Sequence, residues 1–233
     1  MKPVDRLIVA LDLELLDDAE AMVKRLMPLG VTHFKVGLNL FTLYGPSAAD
    51  VVHRNGGKVF LDLKFHDIPN TVGNAVEAAS RLGVWMTNLH AQGGSAMMRK
   101  GLLFAKGPLL IGVTVLTSMA DKELAELGIV KPVKEQVLYL ARLAKESGLN
   151  GIVASAQEAA AIRSACGNDF LIITPGVRPS SSEKNDQQRT ATPAEAVAAG
   201  ADYIVVGRPI LEAKDPIEVV QSIVRELEGK RGP

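Results

Sequence analysis

Short runs of apolar, often β-branched residues recur along the chain, and an amphipathic segment long enough for a helix follows each run. This alternation of strand and helix is typical of α/β proteins with a parallel sheet. The pattern predicts helices over 17–30, 71–83, 133–148 and 192–201, which end at or beside Gly30, Gly83, Gly148 and Gly200. The predicted strands are 6–12, 33–38, 58–64, 84–91, 109–116, 151–155, 171–177 and 203–209.

Eight such units in 233 residues match a closed (β/α)8 barrel, the TIM barrel. A doubly wound open sheet shares the alternation, but it more often has five or six strands. No linker-like break divides the chain, so we expect residues 1–233 to form a single domain. After the fourth strand, the sequence of 93–108 predicts a short helix that is interrupted at Gly101.

The composition excludes several classes of partner. Lys and Arg together number 26, as do Asp and Glu, and aromatic residues make up 4% of the chain, so neither a basic field nor a base-stacking surface for nucleic acid is expected. No segment approaches the ~20 apolar residues of a membrane span, and acidic residues interrupt the apolar run that a signal peptide would need. The single cysteine, Cys166, excludes an intrachain disulfide and is expected to be a small buried side chain. We therefore expect a cytoplasmic protein.

Charged residues stand at the ends of the first three predicted strands, where barrel enzymes place their catalytic groups. In the segment FLDLKFHDIPNT, Asp62 and Lys64 are two residues apart on an apolar strand, and strict alternation would direct both side chains to one face. Asp12 closes the first strand, Lys35 lies inside the second and Asp67 follows the third. Because isolated buried charges are costly, we expect these five residues to converge as a preorganised charge array that faces a substrate.

A phosphate site is predicted after the seventh and eighth strands, where such barrels commonly bind phosphate. The loops there read TPGVRP and VGRPI, and each offers a glycine for close backbone approach and an arginine, Arg178 or Arg208. The polar segment 179–190, which comes next after the first of these loops, is predicted to be a functional loop.

The sequence gives weaker evidence about the roles of the histidines and about metal binding. His66 and His90 lie near strand ends, and we interpret them as structural hydrogen-bonding groups, whereas His33 and His53 are expected to be peripheral. No His-x-x-x-His or Cys-x-x-Cys spacing occurs. The aspartates at the strand ends have the oxygen ligands that Mg²⁺ prefers. The two lysines interleaved with them already supply positive charge, so we predict no metal.

The residues of FLDLKFHDIPNT resemble the signature of the orotidine 5′-phosphate decarboxylase family, Asp-x-Lys-x-x-Asp-Ile-Pro-Asn-Thr. The segments VALD, KVG, VTVLTS, TPGVRP, DQQR and VVGRPI also match, in the family's order and across nearly the whole chain. The resemblance is to the bacterial single-function form. It implies a (β/α)8 barrel that converts orotidine 5′-monophosphate to UMP in pyrimidine biosynthesis, without a metal or another cofactor.

The resemblance also implies a role for each matching residue. Lys64 would protonate C6 of the pyrimidine as carbon dioxide leaves, and Lys35, Asp62 and Asp67 would complete the charged array around the carboxylate and the ribose. The segment 179–190 would form a lid over the phosphate. The residues implied to bind the substrate are Asp12, Lys35, Asp62, Ile68, Asn70, Thr71, Thr117, Arg178, Gln187, Gly207 and Arg208.

The resemblance implies a homodimer, in which Asp67, Ile68 and Thr71 reach into the partner subunit's site. Two other functions stay open. A Mg²⁺-dependent sugar-phosphate decarboxylase or aldolase of the same barrel superfamily would share Asp-x-Lys-x-x-Asp, but it generally carries an acid on the second strand, where this chain has Lys35. A barrel that binds nucleotide phosphate without catalysis would not need the alternating lysines and aspartates.

Overall fold

The structure, a computed structural model, describes residues 1–179 and 191–229. In these residues eight parallel strands follow one another around a closed barrel, in which β1 pairs with both β2 and β8. The predicted (β/α)8 barrel is therefore confirmed. The strands are β1 Leu7–Ala10, β2 His33–Gly37, β3 Lys58–Phe65, β4 Met86–His90, β5 Leu109–Val113, β6 Gly151–Val153, β7 Leu171–Thr174 and β8 Tyr203–Val206.

Helices connect the strands and cover the outside of the barrel. The predicted segments all contain helix, and the glycines named above have positive φ where those helices end. No helix in the described part of the chain is both long and apolar enough to cross a membrane. The helices are α1 Leu16–Leu26, α2 Leu38–Tyr44, α3 Ser47–His53, α4 Pro69–Arg81, α5 Gly94–Phe104, α6 Asp121–Glu126, α7 Val133–Glu146, α8 Ala156–Cys166, α9 Pro193–Ala198, α10 Arg208–Leu211 and α11 Pro216–Leu227. Short 3₁₀ helices occur at Pro3–Arg6, Met27–Leu29 and Ala91–Gly93.

Apolar side chains fill the barrel and cover its outer wall. On β1, Ile8 and Ala10 belong to the cluster inside the barrel, whereas Leu7 and Val9 pack outward in the layer between strands and helices. Both faces of the strand are thus buried, which explains why the strands read as short continuous apolar runs in the sequence. Cys166 is also buried, as expected.

The helix α5 runs through Gly101 without a break, so the predicted interruption is wrong. A Cβ atom at this position would lie 2.9 Å from Leu89 Cδ2 and 3.3 Å from Leu110 Cδ2. The missing side chain therefore lets α5 approach β4 and β5 closely. This packing requirement outweighs the low helix propensity of glycine, which was the basis of the prediction.

His33 lies inside the barrel at the amino-terminal end of the strands, which corrects its prediction as a peripheral residue. Its side chain is part of a ring cluster with centroids 4.3 Å from Trp85 and 5.8 Å from Tyr203. The residue is only 6% exposed. This burial, reinforced by the positive charge of Lys58, lowers the pKa of His33 to about 4.

Acidification is expected to destabilise the fold through His33. An unfolded histidine binds a proton near pH 6.5, whereas the folded chain does so only near pH 4. Between these values the unfolded state binds more protons, so the free energy of unfolding rises with pH and is lost on acidification. Thermal melting from pH 7 to 4.5 should therefore show a smaller loss of melting temperature for His33→Gln than for the unsubstituted protein.

Trp85→Phe is the matched control, because it changes the same ring cluster and leaves the imidazole in place. It should lower stability and keep the original pH dependence. Part of that dependence should also remain in His33→Gln, since burial lowers the pKa of His90 as well. A pH dependence that is identical in His33→Gln and the unsubstituted protein would contradict the prediction.

Candidate active site

Four charged side chains at the carboxyl-terminal mouth of the barrel form a continuous series of ion pairs. Lys35 Nζ lies 2.9 Å from Asp12 Oδ1 and 3.4 Å from Asp62 Oδ2. Lys64 Nζ lies 2.7 Å from Asp62 Oδ1. The two central side chains are nearly buried, with 12% of Lys35 and 11% of Asp62 exposed. The structure thus brings together four of the five charged residues that the sequence analysis grouped.

The pairing keeps the two central groups charged despite their burial. Burial raises the pKa of Asp62, but the charges of Lys35 and Lys64 and the hydrogen bonds to the carboxylate bring it below its ordinary value. Burial likewise lowers the pKa of Lys35, but the neighbouring Asp62 and Asp12 raise it above its ordinary value. At neutral pH the site therefore holds fixed cations and anions rather than neutral side chains.

Lys64 reaches this site through an irregular end of β3. The register between β3 and β4 shifts between Leu61 and Phe65, as in a β-bulge. Lys64 has φ +52°, and it is the sole non-glycine residue with positive φ in the described ranges. A left-handed backbone costs an L-residue roughly 1–2 kcal/mol. The side chains of Lys64 and Asp62 lie on one face, as predicted. The reason is the irregular end of β3 and not the strict alternation of a regular strand.

Asn88, on β4, holds both residues, and the sequence analysis missed it. Its side chain is fully buried. Its Oδ1 accepts a hydrogen bond from the backbone N–H of Lys64 at 2.8 Å, and its Nδ2 donates one to Asp62 Oδ1 at 2.6 Å. The signal available in the sequence was an asparagine on a predicted strand, two residues before His90, but only the pairing of β3 with β4 shows what it contacts.

The absence of a side chain at Gly37 leaves room for the ion pair between Lys35 and Asp12. A Cβ atom there would lie 2.7 Å from Lys35 Nζ and 3.0 Å from Asp12 Oδ1. Its φ of −96° is open to any residue, so the requirement is for space and not for backbone conformation. The glycine at the end of β2 thus belongs to the site, although it contributes no side chain.

A cavity of about 160 Å³ lies over the inner layer of the barrel, beside the ion pairs. Lys35, Asp62 and Lys64 form its polar side, and Thr117 also lines it. Most of the remaining wall is apolar, so the charges face a largely apolar space. That wall consists of Phe60, Val113, Val115, Leu116, Val153, Ala154, Ile173, Pro175 and Val205.

A second cavity of about 150 Å³ adjoins the first and shares Lys35, Pro175 and Val205 with it. It contains the predicted phosphate residues Arg178, Gly207 and Arg208, together with Asp12. The backbone N–H of Arg178 donates to the carbonyl of Ala191 at 3.0 Å, which brings together the chain on either side of the predicted lid. Gln187 and residues 180–190 of that lid lie outside the described residues.

The residues that follow β3 lie apart from this series of ion pairs. Asp67 is exposed, and its Oδ1 accepts a hydrogen bond from the backbone N–H of Ile68 at 2.6 Å. Asp67 and Thr71 line a cavity of about 350 Å³ that Lys64 also lines. Ile68 and Asn70 are exposed as well. Among the described residues Asp67 forms no ion pair with the other four charges, although it lines this cavity together with Lys64.

His66 and His90 stand next to each other, with ring centroids 5.3 Å apart and the rings tilted by 35°. No hydrogen bond joins either ring to another of the described residues, so their interpretation as structural hydrogen-bonding groups stays a prediction. Burial lowers the pKa of His90, and the nearby His66 and Lys64 lower it further. Within residues 1–179 and 191–229, no group of three or more His, Cys, Asp or Glu side chains is arranged to hold a metal ion.

The chain is similar to proteins of one family along nearly its whole length. The model of the orotidine 5′-phosphate decarboxylase / HUMPS family matches residues 5–223. The orotidine 5′-phosphate decarboxylase of Syntrophotalea carbinolica is 54% identical over 95% of this chain and 94% of its own. That of Trichlorobacter lovleyi is 52% identical over 96% and 95%.

A solved structure shares the fold as well. The crystal structure of orotidine 5′-phosphate decarboxylase from Lactobacillus acidophilus superposes with a TM-score of 0.84 at 38% identity, covering 96% of this chain and 99% of its own. The match of the family model over most of the chain and the two highly identical relatives point to the same assignment. The chain belongs to the orotidine 5′-phosphate decarboxylase / HUMPS family.

Proposed function

We propose that this chain converts orotidine 5′-monophosphate to UMP in pyrimidine biosynthesis, without a metal or another cofactor. The observation that carries the proposal is the alternating series Asp12–Lys35–Asp62–Lys64 beside a cavity with two arginines. The relatives named as orotidine 5′-phosphate decarboxylases, which match nearly the whole chain, support the same activity.

The two adjoining cavities suit the two ends of a nucleotide. The phosphate would bind between Arg178 and Arg208, whose guanidinium groups match its geometry, with Gly207 allowing close backbone approach. The pyrimidine would occupy the apolar cavity and reach Thr117. Lys35 lies on the shared wall of both cavities, so it would stand beside the ribose that joins the two ends.

The chemical step needs a fixed cation at C6 of the pyrimidine. Loss of carbon dioxide leaves an electron pair in the plane of the ring, where the π system cannot delocalise it. The ammonium group of Lys64 would stabilise this pair and then donate its proton to C6, forming the C–H bond. At ~4 Å and an effective dielectric constant near 20, one such charge contributes about 4 kcal/mol. Because Asp62 already fixes Lys64, little reorganisation is needed as the charge develops.

One ammonium group cannot supply the whole effect, since enzymatic accelerations can require on the order of 20 kcal/mol. The phosphate lies away from the reacting carbon, and its binding energy is available to assemble the site around the pyrimidine. The segment 179–190, which follows Arg178 directly, is the proposed lid that this binding closes.

The proposed assembly is a homodimer in the cytoplasm. Asp67, Ile68 and Thr71 would complete the partner subunit's site, since their side chains are exposed and not joined to the ion pairs of their own chain. The exposed side chain of Ile68 fits burial in such an interface. A neutral overall charge and a single cysteine fit a cytoplasmic enzyme that acts on a small molecule.

The alternative of a Mg²⁺-dependent sugar-phosphate enzyme is less well supported. Lys35 stands on β2, where an acidic metal ligand is expected in such relatives, and both of its carboxylate neighbours are already paired with it. A silent nucleotide-binding barrel would have no use for Lys64 in a strained conformation beside a largely apolar cavity.

An ultraviolet assay of purified protein with orotidine 5′-monophosphate is the direct test, run with and without EDTA. We expect conversion to UMP at the same rate in both, because the lysines supply the positive charge. A rate that EDTA abolishes and Mg²⁺ restores would contradict the cofactor-free mechanism. No conversion by folded protein would contradict the function, and sugar phosphates with Mg²⁺ would be the next substrates.

Arg208→Ala should lower kcat/KM by roughly 10²-fold or more, because it removes a charge-assisted contact to the phosphate and the binding energy used for closure. Steady-state kinetics and thermal melting would separate this effect from misfolding. Arg25→Ala is the control, since that arginine pairs with Asp215 on the outer surface. Unchanged kinetics in Arg208→Ala would refute the phosphate assignment.

Mixing two inactive variants tests the shared site. Lys64→Ala should abolish turnover and retain nucleotide binding, and Asp67→Ala should lose most turnover. If Asp67 acts in the partner subunit's site, dissociating and reassembling an equal mixture gives heterodimers with one intact site, and activity should return to about a quarter of the unsubstituted level. Each variant carried alone through the same treatment is the control. A mixture no more active than these controls would contradict the shared site.

A further inference from the structure

Asn88 is the point at which the backbone of Lys64 and the carboxylate of Asp62 are held by one side chain. Its carbonyl oxygen accepts from Lys64 N–H at 2.8 Å, and its amide nitrogen donates to Asp62 Oδ1 at 2.6 Å. The same Asp62 oxygen lies 2.7 Å from Lys64 Nζ. A closed ring of contacts therefore runs from the Lys64 backbone through Asn88 and Asp62 to the Lys64 ammonium group.

The carboxamide group fits this position for a chemical reason. One contact requires an acceptor for an N–H group, and the other requires a donor for a carboxylate. A carboxamide offers both without a proton exchange, whereas an ionised carboxylate offers only acceptors. Asn88 is fully buried. If the Lys64 N–H group or the Asp62 carboxylate lost its hydrogen bond to Asn88, the fold would bear the desolvation cost of a polar group without a partner.

We propose that Asn88 is a positioning residue for decarboxylation: it fixes the left-handed backbone of Lys64 and the orientation of Asp62, and so sets where the Lys64 ammonium group stands. This inference rests on the proposed function and adds to it a residue that contacts neither the nucleotide nor the reacting carbon. Without Asn88, the Lys64 N–H group loses this hydrogen bond at the irregular end of β3, and we expect Lys64 to return to an ordinary strand conformation.

Thr87 provides the matched comparison. It precedes Asn88 on β4, is equally buried, and joins the same pair of strands by a hydrogen bond from Oγ1 to the carbonyl of Leu61 at 3.0 Å. No side-chain hydrogen bond or ion pair joins it to Lys64 or Asp62. Thr87→Val thus removes one side-chain hydrogen bond between β3 and β4 without touching the ion pairs.

The first experiment compares steady-state kinetics of Asn88→Ala and Thr87→Val. Asn88→Ala should lower kcat by roughly a hundredfold, because the proton donor is misplaced. Its KM should stay within about threefold, because the phosphate contacts are intact. Thr87→Val should lower the melting temperature and keep the original kcat. A kcat of Asn88→Ala close to that of the unsubstituted protein, or an equal loss in both variants, would overturn the proposal.

Asn88→Asp supplies a readout that packing alone would not move. The groups around this position are Asp62 and Lys64 from β3, Lys35 beyond Asp62, and His90 with its neighbour His66. The introduced carboxyl would be buried beside the Asp62 carboxylate, so its pKa should be raised. Once protonated it can donate to Asp62 while its other oxygen accepts from Lys64 N–H.

The activity of Asn88→Asp relative to the unsubstituted protein should therefore rise as the pH falls from 8.5 to 6. The same ratio for Asn88→Ala should stay flat, so effects common to all variants cancel. A flat ratio for Asn88→Asp would overturn the proposal, and this variant decides the question if Asn88→Ala fails to fold.

A carboxyl-carbon NMR titration of Asp62 makes the inference testable apart from turnover. Removing the Asn88 hydrogen bond should raise the pKa of Asp62 in Asn88→Ala and leave it unchanged in Thr87→Val. If the unsubstituted protein shows no turnover, the proposed function fails and this titration alone decides the role of Asn88. An unchanged Asp62 pKa in Asn88→Ala would then refute the inference.

Discussion

The ion pair between Lys35 and Asp62 is the interaction on which the rest of the site depends. Both side chains are nearly removed from water, and each would lose its charge if it stood alone there. Asp12 and Lys64 extend the pairing at either end, so Lys35 and Asp62 each have neighbours of opposite sign on two sides. The barrel can therefore hold charge beside an apolar cavity, which an unpaired lysine or aspartate could not do.

Several features of the backbone serve this pairing. Gly37 leaves room for the first ion pair, and the irregular end of β3 turns Lys64 back toward Asp62. These features lie on the strands of a rigid barrel, whereas the proposed phosphate site lies on the loops after β7 and β8. The geometry of the ion pairs is thus set by the strands, whereas the proposed phosphate site is built from loops.

Hydrophobic periodicity was enough to predict the barrel, because each strand is buried on both faces and each helix on one. The positions of Asp12, Lys35, Asp62 and Lys64 on the predicted strands were also enough to group them. Parallel strands of a barrel bring their carboxyl ends to the same mouth. The bulge at Lys64 depends on how β3 pairs with β4, and no local pattern records that pairing.

The same limit accounts for the errors. Asn88 in an apolar strand carries no sign of its partners, and the inward position of His33 follows from the closure of the barrel rather than from its neighbours in sequence. Asp67 forms no ion pair with the other four charges among the described residues, since the chain has by then left β3 and turned toward α4, and its place in the site stays a prediction. The single domain and the homodimer stay predictions.

The ring cluster at the amino-terminal end of the strands has an optical consequence. Trp85 is the one tryptophan in the sequence, and it packs between His33 and Tyr203. The proposed active site is at the opposite end of the strands, about 15 Å away for strands of this length. Intrinsic tryptophan fluorescence should therefore change when the amino-terminal end of the barrel unfolds, and it should hardly change when nucleotide binds. It can report unfolding in the presence of substrate.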